Sequence, residues 1–153
     1  MDILITGGCG YVGTLLTEEL LNDGHKIVVV DLCWFGNFLK DHPNLTIVKE
    51  DIRNINKIPL NGIETVIHLA NIANDPSVEL NPVLSWEVNV LATQQFADIC
   101  VEKGIKQFIY ASSGSVYGVK KEPEVTEELP LVPISVYNKT KMVSERILLS
   151  YKD

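Results

Sequence analysis

Only three cysteines stand in this chain, at positions 9, 33 and 100. Their odd number and the lack of a CxxC spacing argue against a disulfide framework or a zinc site, and predict reduced thiols with structural roles. Basic residues are also scarce: 13 Lys and Arg stand against 20 Asp and Glu, for a net charge of −7, and no Lys or Arg run occurs. Such a chain lacks the electrostatic footprint for holding a phosphate polymer, so no nucleic-acid partner is expected. Long apolar runs are missing as well. None approaches the roughly 20 residues that span a bilayer, so no membrane partner is expected. The start, Met1 and Asp2 followed by three apolar residues, has neither the basic region nor the apolar stretch of a secretory signal. A cytoplasmic protein is the expectation. The three histidines, His25, His42 and His68, show no pair at metal-ligand spacing, and Glu122, Glu124, Glu127 and Glu128 read as a solvated loop. No metal site is expected.

What is there fits one globular domain. The 153 residues are 46% hydrophobic, enough for a real core, without repeats, low-complexity tracts or linkers. Short runs rich in Val and Ile alternate with segments of helical period. "DILIT" (2 to 6), "HKIVVVD" (25 to 31), "LTIVKED" (45 to 51), "ETVIHLA" (64 to 70) and "IKQFIYASS" (105 to 113) read as five strands. Leu15, Leu16 and Leu20 mark a helix stopped at Gly24; a second helical pattern runs from Pro82 to about Lys103, before Gly104. A Pro-rich loop leads to a last helix from about Ser135. Strands buried on both faces and mostly separated by crossovers predict an α/β fold with a doubly wound parallel sheet.

The first strand runs into "TGGCGYVG" (6 to 13), where Gly8, Gly10 and Gly13 satisfy GxGxxG, and Asp31 ends the second strand 18 residues past Gly13. Glycines allow a tight turn and close approach of a pyrophosphate, whose charge the free amides of a helix start stabilise. Asp31 can accept hydrogen bonds from an adenosine ribose. Gly8 and Gly13 also have P-loop spacing, but Thr14 stands where that motif needs Lys. The remaining alternative is a tight strand-to-helix turn that binds nothing.

Near the end, "SVYNKTK" (135 to 141) sets Tyr137 and Lys141 one helical turn apart on one face. A free phenol, with a pKa near 10, is a poor base at neutral pH. A neighbouring ammonium lowers that value, so such a tyrosine can remove a hydroxyl proton while hydride passes to a nicotinamide. An isolated YxxxK is more often an unrelated pair. Here, however, the fifth strand ends in "YASSGSVYG" (110 to 118), and strand C-terminal ends face the ligand crevice of a doubly wound sheet. Ser112, Ser113 and Ser115 are therefore candidates to hydrogen-bond a substrate oxygen. The stretch is not the GxSxG elbow of serine hydrolases.

These motifs, with "VVVDLCWFGN", "EDIRN", "VIHLAN", "VNVLAT" and "PLVPISVYNKTK", resemble in order those of the extended short-chain dehydrogenases, specifically the NAD-dependent nucleotide-sugar epimerases and dehydratases. The resemblance covers essentially the whole chain. It implies a Rossmann fold with NAD as cofactor, a nucleotide-sugar substrate and a homodimer. By that likeness Gly7, Gly10 and Gly13 hold the pyrophosphate, Asp31 the ribose, Asp51 and Ile52 the adenine, and Leu69, Ala70 and Asn71 the middle of the cofactor, with Tyr11 and Val12 also among the cofactor-binding residues. Ser113, Tyr137 and Lys141 take the catalytic roles, and Lys141 also touches the nicotinamide ribose. Asn89, in the "VNV" motif, is a candidate for fixing the active-site backbone, and Trp34 and Phe35 could shield the adenine side. Family dehydratases carry an acidic pair where Gly114 and Ser115 stand, which favours an epimerase over a dehydratase or reductase. Family members continue past the Tyr-Lys helix into a smaller substrate domain. Residues 1–153 are thus expected to be an incomplete NAD-binding Rossmann domain, truncated before that substrate domain and unable alone to turn over a sugar. The competing reading is a non-catalytic dinucleotide-binding module, which would have no use for Ser113, Tyr137 and Lys141.

Overall fold

The computed structural model describes residues 1–152; Asp153, the last residue of the expected domain, lies outside the described residues. Among these are five strands and five α-helices, in the order β1 (Asp2–Thr6), α1 (Tyr11–Asn22), β2 (Lys26–Asp31), β3 (Leu45–Lys49), β4 (Thr65–His68), α2 (Asp75–Leu80), α3 (Pro82–Trp86), α4 (Thr93–Glu102), β5 (Gln107–Tyr110) and α5 (Val136–Leu149). The strands form one parallel sheet of order β3-β2-β1-β4-β5, a Rossmann-like arrangement. No described helix is long and apolar enough to cross a membrane.

The chain divides into two compact units. The first, Met1–Asn71 with Gln95–Ala111, holds the whole sheet. Its central strands are apolar on both faces because both faces are covered, and Leu4, Ile5, Val29 and Val66 are fully buried. Ile3, Ile5, Ile27, Val29 and Ile67 form a core with Leu21 of α1. His68, at the end of β4, is buried with Nδ1 2.7 Å from the Thr6 hydroxyl and its ring against Phe96, Phe108 and Tyr110. It is a packed strand-end residue.

The second unit comprises Ile72–Gln94 and the described residues from Ser112 onward. Two of its helices start on an asparagine with a proline in the first turn: Asn74 caps α2 by accepting from the Ser77 amide, and Asn81 caps α3 by accepting from the Leu84 amide. Sequence periodicity predicts nothing for α2, whose six residues are too few to show it. The helical pattern expected from 82 to 103 is present but interrupted, since Glu87–Ala92 winds as a π-helical turn.

Strands are shorter than their apolar runs because polar groups at their ends turn the chain. At β3 the Asp51 carbonyl accepts from the Asn54 amide, so the strand stops at Lys49. Beyond β5, the Ser113 hydroxyl accepts from the Ser115 amide and starts a 3-10 turn, Gly114–Tyr117. The last helix begins as expected, with Ser135 accepting from the Asn138 amide.

Candidate active site

In the first unit the glycine turn sits where β1 enters α1. Gly7 has φ +73, and a Cβ there would lie 2.7 Å from the Ala70 nitrogen; a Cβ on Gly13 would lie 2.4 Å from the Gly7 carbonyl oxygen. No side chain fits at either position. Gly10, the N-cap of α1, offers no side-chain cap, and the first turn holds no acid. Tyr11 and Val12 are exposed. The positive end of a twelve-residue helix is thus left open toward solvent.

Asp31 closes one side of this turn. Its Oδ2 accepts from the Cys9 amide at 3.0 Å and its Oδ1 from the Cys33 amide at 2.7 Å. A carboxylate has about four acceptor positions, so two remain for a ligand. Leu69 and Ala70 press their backbone against Gly7, tied to β1 by bonds from the Leu69 amide to the Thr6 carbonyl and from the Ala70 amide to the Thr6 hydroxyl. The buried Asn71 Oδ1 has no hydrogen-bond partner among the described residues. Asp51 is bound by Arg53, whose guanidinium bonds both carboxylate oxygens and holds the carboxyl below its ordinary pKa. Ile52 is buried, while Trp34 and Phe35 are largely exposed.

The three expected proton-transfer residues all lie in the second unit. Tyr137 stands in the first turn of α5, with Lys141 one turn on. Lys141 is 4% exposed, and burial pushes its pKa from 10.5 down to about 8. The Ser113 hydroxyl lies 2.7 Å from that of Ser115, whose amide it also accepts, so it is held as well as partly accessible. Ser112 is committed elsewhere, donating to Glu145 of α5 at 2.5 Å. That bond spans 33 residues and has no local signal.

Asn89 organises this unit. It sits in the π-helical turn, 1% exposed, accepts from the Ile72 amide at 2.8 Å, and donates to the Ile72 carbonyl and the Thr140 hydroxyl. Thr140 in turn donates to the Tyr137 carbonyl at 2.7 Å, and Ser144 donates to the Asn89 carbonyl at 2.6 Å. The turn before Lys141 is therefore fixed by a chain of bonds that starts at Ile72.

The profile of the NAD dependent epimerase/dehydratase family matches residues 3–153. The chain belongs to this family. A UDP-glucose 4-epimerase of Bacillus subtilis is 34% identical over 97% of the chain and 47% of its own length. Among solved structures, the UDP-N-acetylglucosamine 4-epimerase of Methanobrevibacter ruminantium, in complex with UDP-N-acetylmuramic acid, is 31% identical with a TM-score of 0.90, covering 98% of this chain and 50% of that one. The UDP-glucose 4-epimerase of Thermus thermophilus, in complex with NAD, is 28% identical with a TM-score of 0.90, covering 99% and 50%. The chain spans about half the length of the curated relatives it matches. Epimerase/dehydratase family members depend on NAD, and this member has features that suit that cofactor. The start of α1 has no capping side chain to displace, Asp31 keeps acceptor capacity, and Asn71 has an unmatched buried acceptor.

Proposed function

We propose that the protein carrying this chain is a NAD-dependent nucleotide-sugar epimerase, with Ser113, Tyr137 and Lys141 as its proton-transfer groups. Gly7, Gly10, Tyr11, Val12 and Gly13 would hold the pyrophosphate, Asp31 the ribose, Asp51 and Ile52 the adenine, and Leu69, Ala70 and Asn71 the middle of the cofactor. When bound, NAD supplies a reversible hydride acceptor. Tyr137 removes the proton from the sugar hydroxyl and later returns it. Lys141, one helical turn away, favours the phenolate through its charge, and Ser113 hydrogen-bonds the oxygen whose charge changes.

The observation that carries this reading is the burial of Lys141. A lysine at 4% exposure with its pKa pushed down to about 8 is costly for folding and has no packing advantage over an aliphatic residue. Gly114 and Ser115 put no acid on the turn after Ser113, which favours epimerisation over elimination of water.

Tyr137→Phe, assayed in the protein carrying these residues on UDP-glucose and UDP-galactose, should lower turnover by about 10² to 10⁴ while NAD still binds. Near-normal turnover in that variant would show that the phenol is not the base. Failure of the unaltered protein to bind NAD would overturn the cofactor assignment.

A further inference from the structure

Cys9 lies in the glycine turn and Cys33 two residues past Asp31, 24 positions apart in sequence. Parallel pairing of β1 with β2, with Thr6 opposite Val30, brings the two strand ends side by side and places the sulfurs 3.7 Å apart. A disulfide needs about 2.05 Å, so closure requires a movement of roughly 2 Å. The same two residues supply both amides that hold the Asp31 carboxylate.

We propose that Cys9 and Cys33 form a dithiol that a hydroperoxide closes to a disulfide, and that closure removes one of the two amide braces from Asp31. The consequence for cofactor affinity rests on the NAD reading above; the thiol chemistry does not.

The two cysteines are not equivalent. Cys9 is buried, donates to Asn37 Oδ1 and accepts from Cys33. Burial and the nearby Asp31 charge push its pKa up to about 12, so it enters the reaction as a thiol, the form that condenses with a sulfenic acid. Cys33 is partly exposed and therefore meets the oxidant first. Its sulfur attacks a peroxide oxygen, the O–O bond breaks, and a sulfenic acid and one water form. The Cys9 sulfur then attacks the Cys33 sulfur, and the sulfenic hydroxyl leaves with the Cys9 proton as a second water. Two thiols lose two electrons and two protons, and the peroxide takes up both.

Packing decides which side moves. A Cβ on Gly8 would lie 2.7 Å from Val29, and one on Gly13 2.4 Å from the Gly7 carbonyl oxygen, so the turn carrying Cys9 is closely packed. Cys33 holds φ +55, a conformation disfavoured for a side chain other than Asn or Asp, so a movement there can release strain. Closure therefore draws the Cys33 amide off Asp31 Oδ1 and leaves the Cys9 amide on Oδ2.

The test is treatment of the chain with hydrogen peroxide, followed by intact mass, peptide mapping, amide hydrogen exchange and NAD calorimetry. The expected result is a mass lower by two hydrogens and a linked Cys9–Cys33 peptide, with the buried Cys100 still alkylatable after denaturation. The Cys33 amide should exchange faster and the Cys9 amide should not. NAD affinity should fall, reversibly with a dithiol reductant, as Asp31 loses one of the two amides that orient its carboxylate. In Cys33→Ser, NAD affinity should no longer respond to peroxide. No linked peptide, or a linked peptide with unchanged Cys33 exchange, overturns the proposal. If the reduced chain fails to bind NAD while mass and exchange respond as expected, the cofactor reading falls and the thiol switch stands.

Discussion

A lysine buried to 4% exposure must shed its proton or bear the cost of desolvating it, and Lys141, with a pKa of about 8 in place of 10.5, does part of each. Between those two values the unfolded chain binds more protons than the folded one, so this residue makes stability rise with pH across that window. Below about 8 the lysine is charged in both states and its desolvation opposes folding. Lys141→Met should therefore be more stable than the unaltered chain at about pH 7, by up to about 3 kcal/mol, and the advantage should shrink toward pH 10.5. Urea denaturation at about pH 7 and about pH 9.5 measures this; a difference that does not change with pH counts against a buried charge at position 141.

The π-helical turn Glu87–Ala92 shows how an element is shaped by its partners. A π turn inserts one residue into the helical ladder and re-aims backbone groups. Here the Asn89 carbonyl receives the Ser144 hydroxyl, while the Asn89 side chain satisfies both backbone groups of Ile72 and reaches Thr140. Asn89→Ala would strand the buried amide and carbonyl of Ile72. Each such group costs about 1–3 kcal/mol, so a loss of about 3 kcal/mol is expected in urea denaturation. Amide exchange should rise first at Ile72 and in the first turn of α5, where the Tyr137 carbonyl depends on Thr140. Uniform destabilisation without that local signature would argue against Asn89 as the positioning residue of α5.

At the scale of the whole chain, a ligand that binds only the folded state stabilises it by mass action, by about 2.7 kcal/mol at about a hundredfold excess over Kd. NAD should thus raise the melting temperature of the chain. NADP should raise it less, since Asp31 repels a 2′-phosphate and residues 32 to 39 contain no cation to receive one. Equal shifts from both cofactors in a thermal denaturation assay would remove Asp31 from the ribose site. Much of this was legible in the sequence alone, because it is local. Apolar runs of the right length make buried strands, as at Asp2–Thr6. Glycines at 7 and 13 stand where the turn admits no side chain, and Ser135 starts a helix that must carry Tyr137 and Lys141 one turn apart. Even α2, which periodicity passes over because the helix is so short, had a local signal, an asparagine cap two residues before a proline. Only the tertiary structure decided the rest. The meeting of Cys9 with Cys33 across 24 residues, the bonds of Asn89 to partners 17 and 51 residues away, and the removal of Lys141 from water all depend on which segments pack together. That choice is made by strand pairing and the burial of apolar surface between distant segments, of which no single stretch of chain carries a record.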